Sequence, residues 1–118
     1  MNGLQPGIRL TSFVGEELLQ LCFGAHQLQI HFANRIQVMV ESECVLQGMS
    51  PDPIRIDNYS SAASSLCRLL SAKVLSASRA DDGGLLLRFA NGAELHVLND
   101  TQENESFQIH LDGKIYVA

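Results

Sequence analysis

Apolar and polar residues alternate with period two on both sides of the same tripeptide, and the chain does this twice. From Leu28 to Val40 it reads LQIHFANRIQVMV, and from Leu86 to Leu98 it reads LLRFANGAELHVL; Phe89 follows Phe32 by 57 positions (89 − 32). In the later stretch Leu85, Leu87 and Phe89 alternate with Leu86 and Arg88, and Ala93, Leu95 and Val97 with Glu94 and His96. Period two puts alternate side chains on opposite faces of a strand, so strands are expected near 84–90 and 93–99. Asn91-Gly92 between them predicts a type I′ hairpin, a turn that needs positive φ at both central residues. Lys73 to Arg79 reads as a third strand, joined through the turn cluster Asp81-Asp82-Gly83-Gly84.

The earlier stretch follows the same plan. Glu17 to Phe23 is a first strand, Gly24-Ala25-His26 a turn, and Leu28, Ile30 and Phe32, then Ile36, Val38 and Val40, are the inner faces of two more. Arg35 stands where the second copy has glycine, which makes a I′ turn less comfortable and predicts a longer or bulged one. Pro51 and Pro53 mark 47–57 as a connector. Beyond it Ala62, Ala63, Leu66, Leu69 and Leu70 recur at helical spacing, with Asp57, Asn58 or Ser60 available as N-cap. The N-terminal RLTSFVGEELL allows a shorter turn of helix, and Phe107 to Val117 folds over Asp112-Gly113 as a last hairpin.

These elements predict an α+β fold. It is a mainly antiparallel sheet from two tandem three-stranded meanders plus a C-terminal hairpin, with one main helix (about 59–71) packed on the sheet. The chain reads as a single domain, 1–118, with an internal pseudo-repeat of about 11–46 and 68–103. Its 118 residues, 46% hydrophobic and 18% charged, suffice for one core. No apolar run is long enough to cross a bilayer and the N-terminus lacks signal-peptide blocks, so the expected location is cytoplasmic, with no membrane partner. Cys22, Cys44 and Cys67 have neither CxxC nor metal-ligand spacing and are expected as buried reduced thiols. A net charge of −5 with no basic stripe disfavours direct nucleic-acid binding.

Sequence motifs for catalysis or phosphate binding are absent: there is no GxGxxG, P-loop, HExxH or GxSxG. The expectation is therefore no enzyme, no cofactor and no metal. A rival reading keeps His96, His110 and Glu94 as a metal or proton-transfer site, which requires strand 106–111 to pair beside strand 93–99. Polar residues at alternate positions of a sheet with one wet face explain the same histidines. Met39, Leu86 and Leu98 add apolar spots to that face and suit protein contacts.

The segment from Ser65 to Gly113 carries L-x-L-x-F-x-N-G-x-x-L-x-V at Leu85, Leu87, Phe89, Asn91, Gly92, Leu95 and Val97. Glu105, Ser106, Phe107 and Ile109 follow. This pattern resembles small bacterial duplicated-hairpin domains similar in build to toxin immunity proteins of polymorphic and contact-dependent growth inhibition systems. The resemblance implies a non-catalytic protein that neutralises a cognate toxin, such as a basic nuclease, by direct binding. An acidic inhibitor would be steered to a basic partner, and the expected contacts are Glu41, Asp81, Asp82, Glu94, Glu103 and Glu105, with Met39 and His96. The alternative is a homo-oligomerising module, a homodimer, paired through an exposed sheet edge.

Overall fold

The structure is a computed structural model that describes residues 3–5, 7–99 and 106–118. Among the described residues the chain is mostly antiparallel β, ten strands in two five-stranded sheets, with one short α-helix. The strands are β1 (Leu18–Phe23), β2 (Leu28–Phe32), β3 (Gln37–Val40), β4 (Cys44–Gln47), β5 (Ile54–Ile56), β6 (Val74–Arg79), β7 (Leu85–Phe89), β8 (Glu94–Val97), β9 (Phe107–Leu111) and β10 (Lys114–Val117). The first sheet runs β1-β2-β3-β9-β10 and the second β5-β4-β8-β7-β6. Each hairpin that follows three consecutive strands thus leaves them: β4–β5 joins β8, and β9–β10 joins β3.

The pairing registers of the two sheets correspond residue by residue. Leu28 faces Val40 in β2–β3 and Leu85 faces Val97 in β7–β8, a shift of 57 on both strands (85 − 28 and 97 − 40). In β1–β2 and β6–β7 the pairs Leu18/Phe32 and Val74/Phe89 are each followed by a bulge, which leaves out Leu19 in one and Leu75 in the other. The sheets touch along a short bridge, Glu17 opposite Lys73.

Alternation decides what is buried. Leu28, Ile30, Phe32, Val38, Val40, Phe107 and Ile109 of the first sheet meet Cys44, Leu46, Leu85, Leu87, Phe89, Leu95 and Val97 of the second in one core. Phe13, from a 3-10 turn at Leu10–Phe13, is fully buried in that core and sets its ring edge-on to Phe32 at 5.5 Å and 86°, the arrangement the ring quadrupole favours. Buried Tyr59 donates its hydroxyl to Ser42 O at 2.6 Å and lies 3.2 Å from Cys44 Sγ, tying the chain after β5 to the start of β4.

Several local expectations change. The helix expected at 59–71 is confined to Ala63–Leu66, followed by a 3-10 turn at Cys67–Leu69. Ala62 at its N-cap offers no side-chain acceptor, and the Asn58 side chain instead closes a preceding turn, accepting from Ser61 N–H at 3.3 Å and Ser60 Oγ at 2.8 Å. Leu66 and Leu69 are still buried. The connector at 47–57 contains β5, with Pro51 and Pro53 in the turn that precedes it. Of the cysteines only Cys44 is buried; Cys22 is half-buried and Cys67 exposed, all as free thiols.

The second FAN turn differs from the I′ expectation, whereas the first is longer than the two residues of I′, as Arg35 in place of glycine predicts. In the second, Phe89 N–H donates to Ala93 O at 2.9 Å around a three-residue loop, and Gly92 is its positive-φ residue (φ 92) while Asn91 is not one. A right-handed turn closed by a left-handed glycine fits three residues, where I′ fits two. Asn91 contributes its side chain, whose Oδ1 accepts from Ala93 N–H at 3.0 Å. The first turn has the same length, with Phe32 N–H on Ile36 O at 2.8 Å, but holds both Asn34 (φ 60) and Arg35 (φ 63) left-handed. Among the described residues no helix is long and apolar enough to cross a membrane.

Candidate partner-binding surface

Three of the acidic residues expected at a contact surface come together at one end of the two sheets. Asp82, in the β6–β7 turn, is the hub: Gly84 N–H donates to its Oδ1 at 2.8 Å, Asn99 N–H to its Oδ2 at 3.0 Å, and His96 Nε2 lies 3.1 Å from Oδ1. Asn99 Oδ1 accepts from Ser106 Oγ at 3.1 Å, and Ser106 O accepts from Glu41 N–H at 2.9 Å. That chain links the Asp82 turn to the end of β3, where Glu41 is exposed, and Asp81 is exposed beside Asp82. Partial burial on its own would raise the Asp82 carboxyl; the amides of Asn99 and Gly84, then His96, stabilise the anion and hold it below the ordinary value. The Asp82 carboxylate is thus committed to holding its own turn. Gly84 is required there because a Cβ would run into Val97 O.

The remaining expected residues are distributed differently. Glu94 faces Arg88 and Gln47 across the second sheet, one alternate position from His96. Met39 lies on the outer face of the first sheet and lines a small hollow with Glu41. Glu103 and Glu105 lie outside the described residues. The pairing of strand 106–111 beside strand 93–99 does not occur: β9 pairs with β3, so His110 faces Gln37 in the first sheet while His96 faces Val45 and Leu86 in the second. His96 and His110 are thereby in different sheets, and among the described residues no group of three or more His, Cys, Asp or Glu is placed to hold a metal ion.

Two further surfaces take shape only in the tertiary structure, although alternation along the strands already puts Met39 and the polar positions of the second on a wet face. The first is an open groove of about 690 Å³ at the end of the first sheet, lined by Glu16, Asn34, Arg35, His110, Asp112 and Lys114 among others. Asn34, Arg35 and Asp112 all have positive φ there, at 60°, 63° and 54°. Left-handed backbone at residues with a Cβ is uncommon and gathers at functional sites and tight turns. Asn34 Nδ2 is held by both oxygens of Glu16, at 3.0 and 2.8 Å, and Ser12 Oγ donates to Asp112 at 3.0 Å.

The second feature is the outer face of the first sheet. Cross-strand pairing aligns Cys22, Gln29, Met39, Gln108 and Val117 in one row and Gln20, His31, Gln37, His110 and Ile115 in the next. Neither row contains Asp, Glu, Lys or Arg. The corresponding face of the second sheet carries Arg55, Arg88 and Glu94. In the first sheet the polar groups serve one another: His31 Nε2 lies 3.3 Å from Gln29 Oε1, and His110 Nε2 3.3 Å from Gln108 Oε1. The face offers amide and imidazole donors and acceptors around Met39 and is bounded by exposed Ile115 at the β10 edge, beside the groove.

No match was found among curated proteins or among solved structures. Residues 10–118, which span both sheets, the Asp82 hub and the groove, match the model of a family of unknown function (DUF6188), and the chain belongs to that family.

Proposed function

We propose that this chain is a non-catalytic protein-binding domain that docks its partner on the outer face of the first sheet. Its most specific form is an immunity protein that neutralises a bacterial toxin by direct binding. The observation that carries the reading is the ten-residue face without a single formal charge, in a chain that is 18% charged. Interface centres are depleted in charged residues and enriched in Met, because a charge buried against a partner loses hydration it rarely regains. Gln and His keep such a face wettable in the free protein and can pair with a partner's backbone or side chains once water leaves. The exposed carboxylates of Glu41 and Asp81, at the end of the sheets, together with the net charge of −5, would steer a basic partner toward this surface. We further infer that the halves at about 11–46 and 68–103 are tandem copies of one three-stranded meander, on the strength of their shared registers and bulges.

The immunity reading requires a toxin gene beside this one, and the test is co-expression with any such neighbour. Protection of growth is expected from the native chain and is expected to fail for Gln37→Lys with Gln108→Lys, which sets two charges at the centre of the face. If the charged variant folds and protects as well as the native chain, this face is not the docking surface; if the native chain protects against none of these toxins, the immunity reading falls.

A further inference from the structure

Four of the large hydrophobic residues exposed among the described residues gather where the two sheets meet. Val14, Leu19, Leu70 and Leu75 are 50%, 56%, 41% and 61% exposed. The backbone between them explains why they lie together. Gly15 N–H donates to Val74 O at 2.8 Å and Ser71 N–H to Leu18 O at 2.8 Å; Leu18 N–H donates to Ala72 O at 2.9 Å and Val74 N–H to Glu16 O at 3.0 Å. Exchanging residue n with n + 56 turns each bond of a pair into the other (71 − 15 and 74 − 18), so the seam has a local two-fold axis. The same exchange carries Val14 to Leu70 and Leu19 to Leu75, and it places Val14 beside Leu75 and Leu19 beside Leu70. At the centre of the seam Glu17 stands opposite Lys73. These two also exchange under n + 56, so the two-fold is broken at its centre by an inversion of charge. Leu18 and Val74 point into the core, so Glu17 and Lys73, one position before each, point outward with the four apolar residues.

We propose that this seam is a dimerisation surface whose occupant is a second copy of the chain. A homodimer axis lying in the plane of the patch, between the two strands and parallel to them, sets Glu17 of each copy over Lys73 of the other. The same axis lays Val14 over Leu75 and Leu19 over Leu70 across the interface. The alternative in-plane axis opposes Glu17 to Glu17 and Lys73 to Lys73, so charge selects one arrangement, as an isologous contact requires. The exposed fractions correspond to about 400 Å² of apolar surface per copy, within the roughly 300–600 Å² of the largest apolar patch on a typical monomer, a patch that is often functional. With the usual apolar share of a little over half, it matches the roughly 800 Å² per partner of a standard interface. The patch shares no residue with the ten-residue uncharged face, which it adjoins where Leu19 precedes Gln20 on β1, and the two proposals have separate readouts, oligomeric state and protection of growth.

The experiment is sedimentation or light scattering of the full chain across a concentration series. Dimers are expected for the native protein. Glu17→Lys and Lys73→Glu are each expected to weaken dimerisation at least ~10-fold, because each sets like charges face to face. Mixing the two variants is expected to restore dimers as a heterodimer, with a lysine pair on one chain opposite a glutamate pair on the other. Within each variant the Glu17–Lys73 opposition stays broken, so rescue on mixing reports only contacts across the interface. Leu19→Ser with Leu75→Ser, two exposed positions, is expected to give a folded monomer. A native chain that remains monomeric at several hundred micromolar overturns the proposal, as does a mixture that stays as weak as its components or a folded double serine variant that still dimerises.

Discussion

Arg35→Gly is expected to stabilise the protein, and the molecule contains the control for it. Arg35 holds φ at 63°, and Gly92 occupies the corresponding place in the second FAN turn (92 − 35 = 57) with φ at 92°. Ser71 at φ 69° stands in the same relation to Gly15 at φ 84° (71 − 15 = 56). One copy of each turn therefore keeps glycine where the other strains a residue with a Cβ. Left-handed backbone costs such a residue about 1–2 kcal/mol, of which glycine gives back about 0.4–1 kcal/mol through the extra entropy of its unfolded chain, leaving a net gain of about 0.5–1 kcal/mol. For a domain of this size that raises Tm by about 2–5 °C. A Cβ at Gly15 or Gly92 meets nothing within 4 Å, so Gly92→Ala and Gly15→Ala isolate the backbone term and should lose about 1 kcal/mol each. The three single variants are compared by urea unfolding, in which midpoints should move while the slopes stay the same. A midpoint that stays put or falls for Arg35→Gly, while Gly92→Ala lowers it, would refute the reasoning, since the Arg35 side chain would then be returning what its backbone costs.

Two further outcomes follow from the interior and from the acidic end. Tyr59→Phe removes the hydroxyl that Ser42 O accepts in a fully buried site, and a loss of about 1–3 kcal/mol is expected in the same unfolding assay, against near-neutral behaviour if the loop is held by packing alone. Asp82 is held below its ordinary value of 3.8, so the folded state binds this proton less readily than the unfolded chain. Its contribution to stability is fully present above the unfolded value and is lost as pH falls through the lower folded value. Stability measured from pH 2 to 6 should accordingly fall less steeply at the acid end for Asp82→Asn than for the native chain, and parallel curves would show that the turn does not depend on the anion.

Much of the fold is written locally. Alternation around Phe32 and Phe89 set four strands within a residue or two of their ends, because period-two burial is a property of neighbouring residues and needs no knowledge of what lies across the sheet. Turn chemistry was only half legible: Asn-Gly marked the right place, but the three-residue loop length that decided between I′ and a glycine-closed turn came from strand pairing. The helix was overestimated because an apolar stripe at helical spacing cannot reveal that Asn58 will close a competing turn.

The candidate surfaces depended on the tertiary structure more heavily. Sequence alone determined that the FAN repeats are hairpins with phenylalanine inward, that motifs for common chemistries are missing, and that His31, His96 and His110 lie on strand faces opposite the core. Which strand lies beside which is set by pairing between residues far apart in the chain, such as Leu46 with Leu95, 49 positions on (95 − 46), and Val38 with Ile109, 71 positions on (109 − 38). The tertiary structure moved the last hairpin onto the first sheet and parted His96 from His110. It also lined Gln29, Met39, Gln108 and Val117 into an uncharged row, and brought Val14 to Leu75 across a seam whose charges invert. Side-chain direction along a strand is local, but the neighbour that turns scattered residues into a surface is chosen by burial of the whole core.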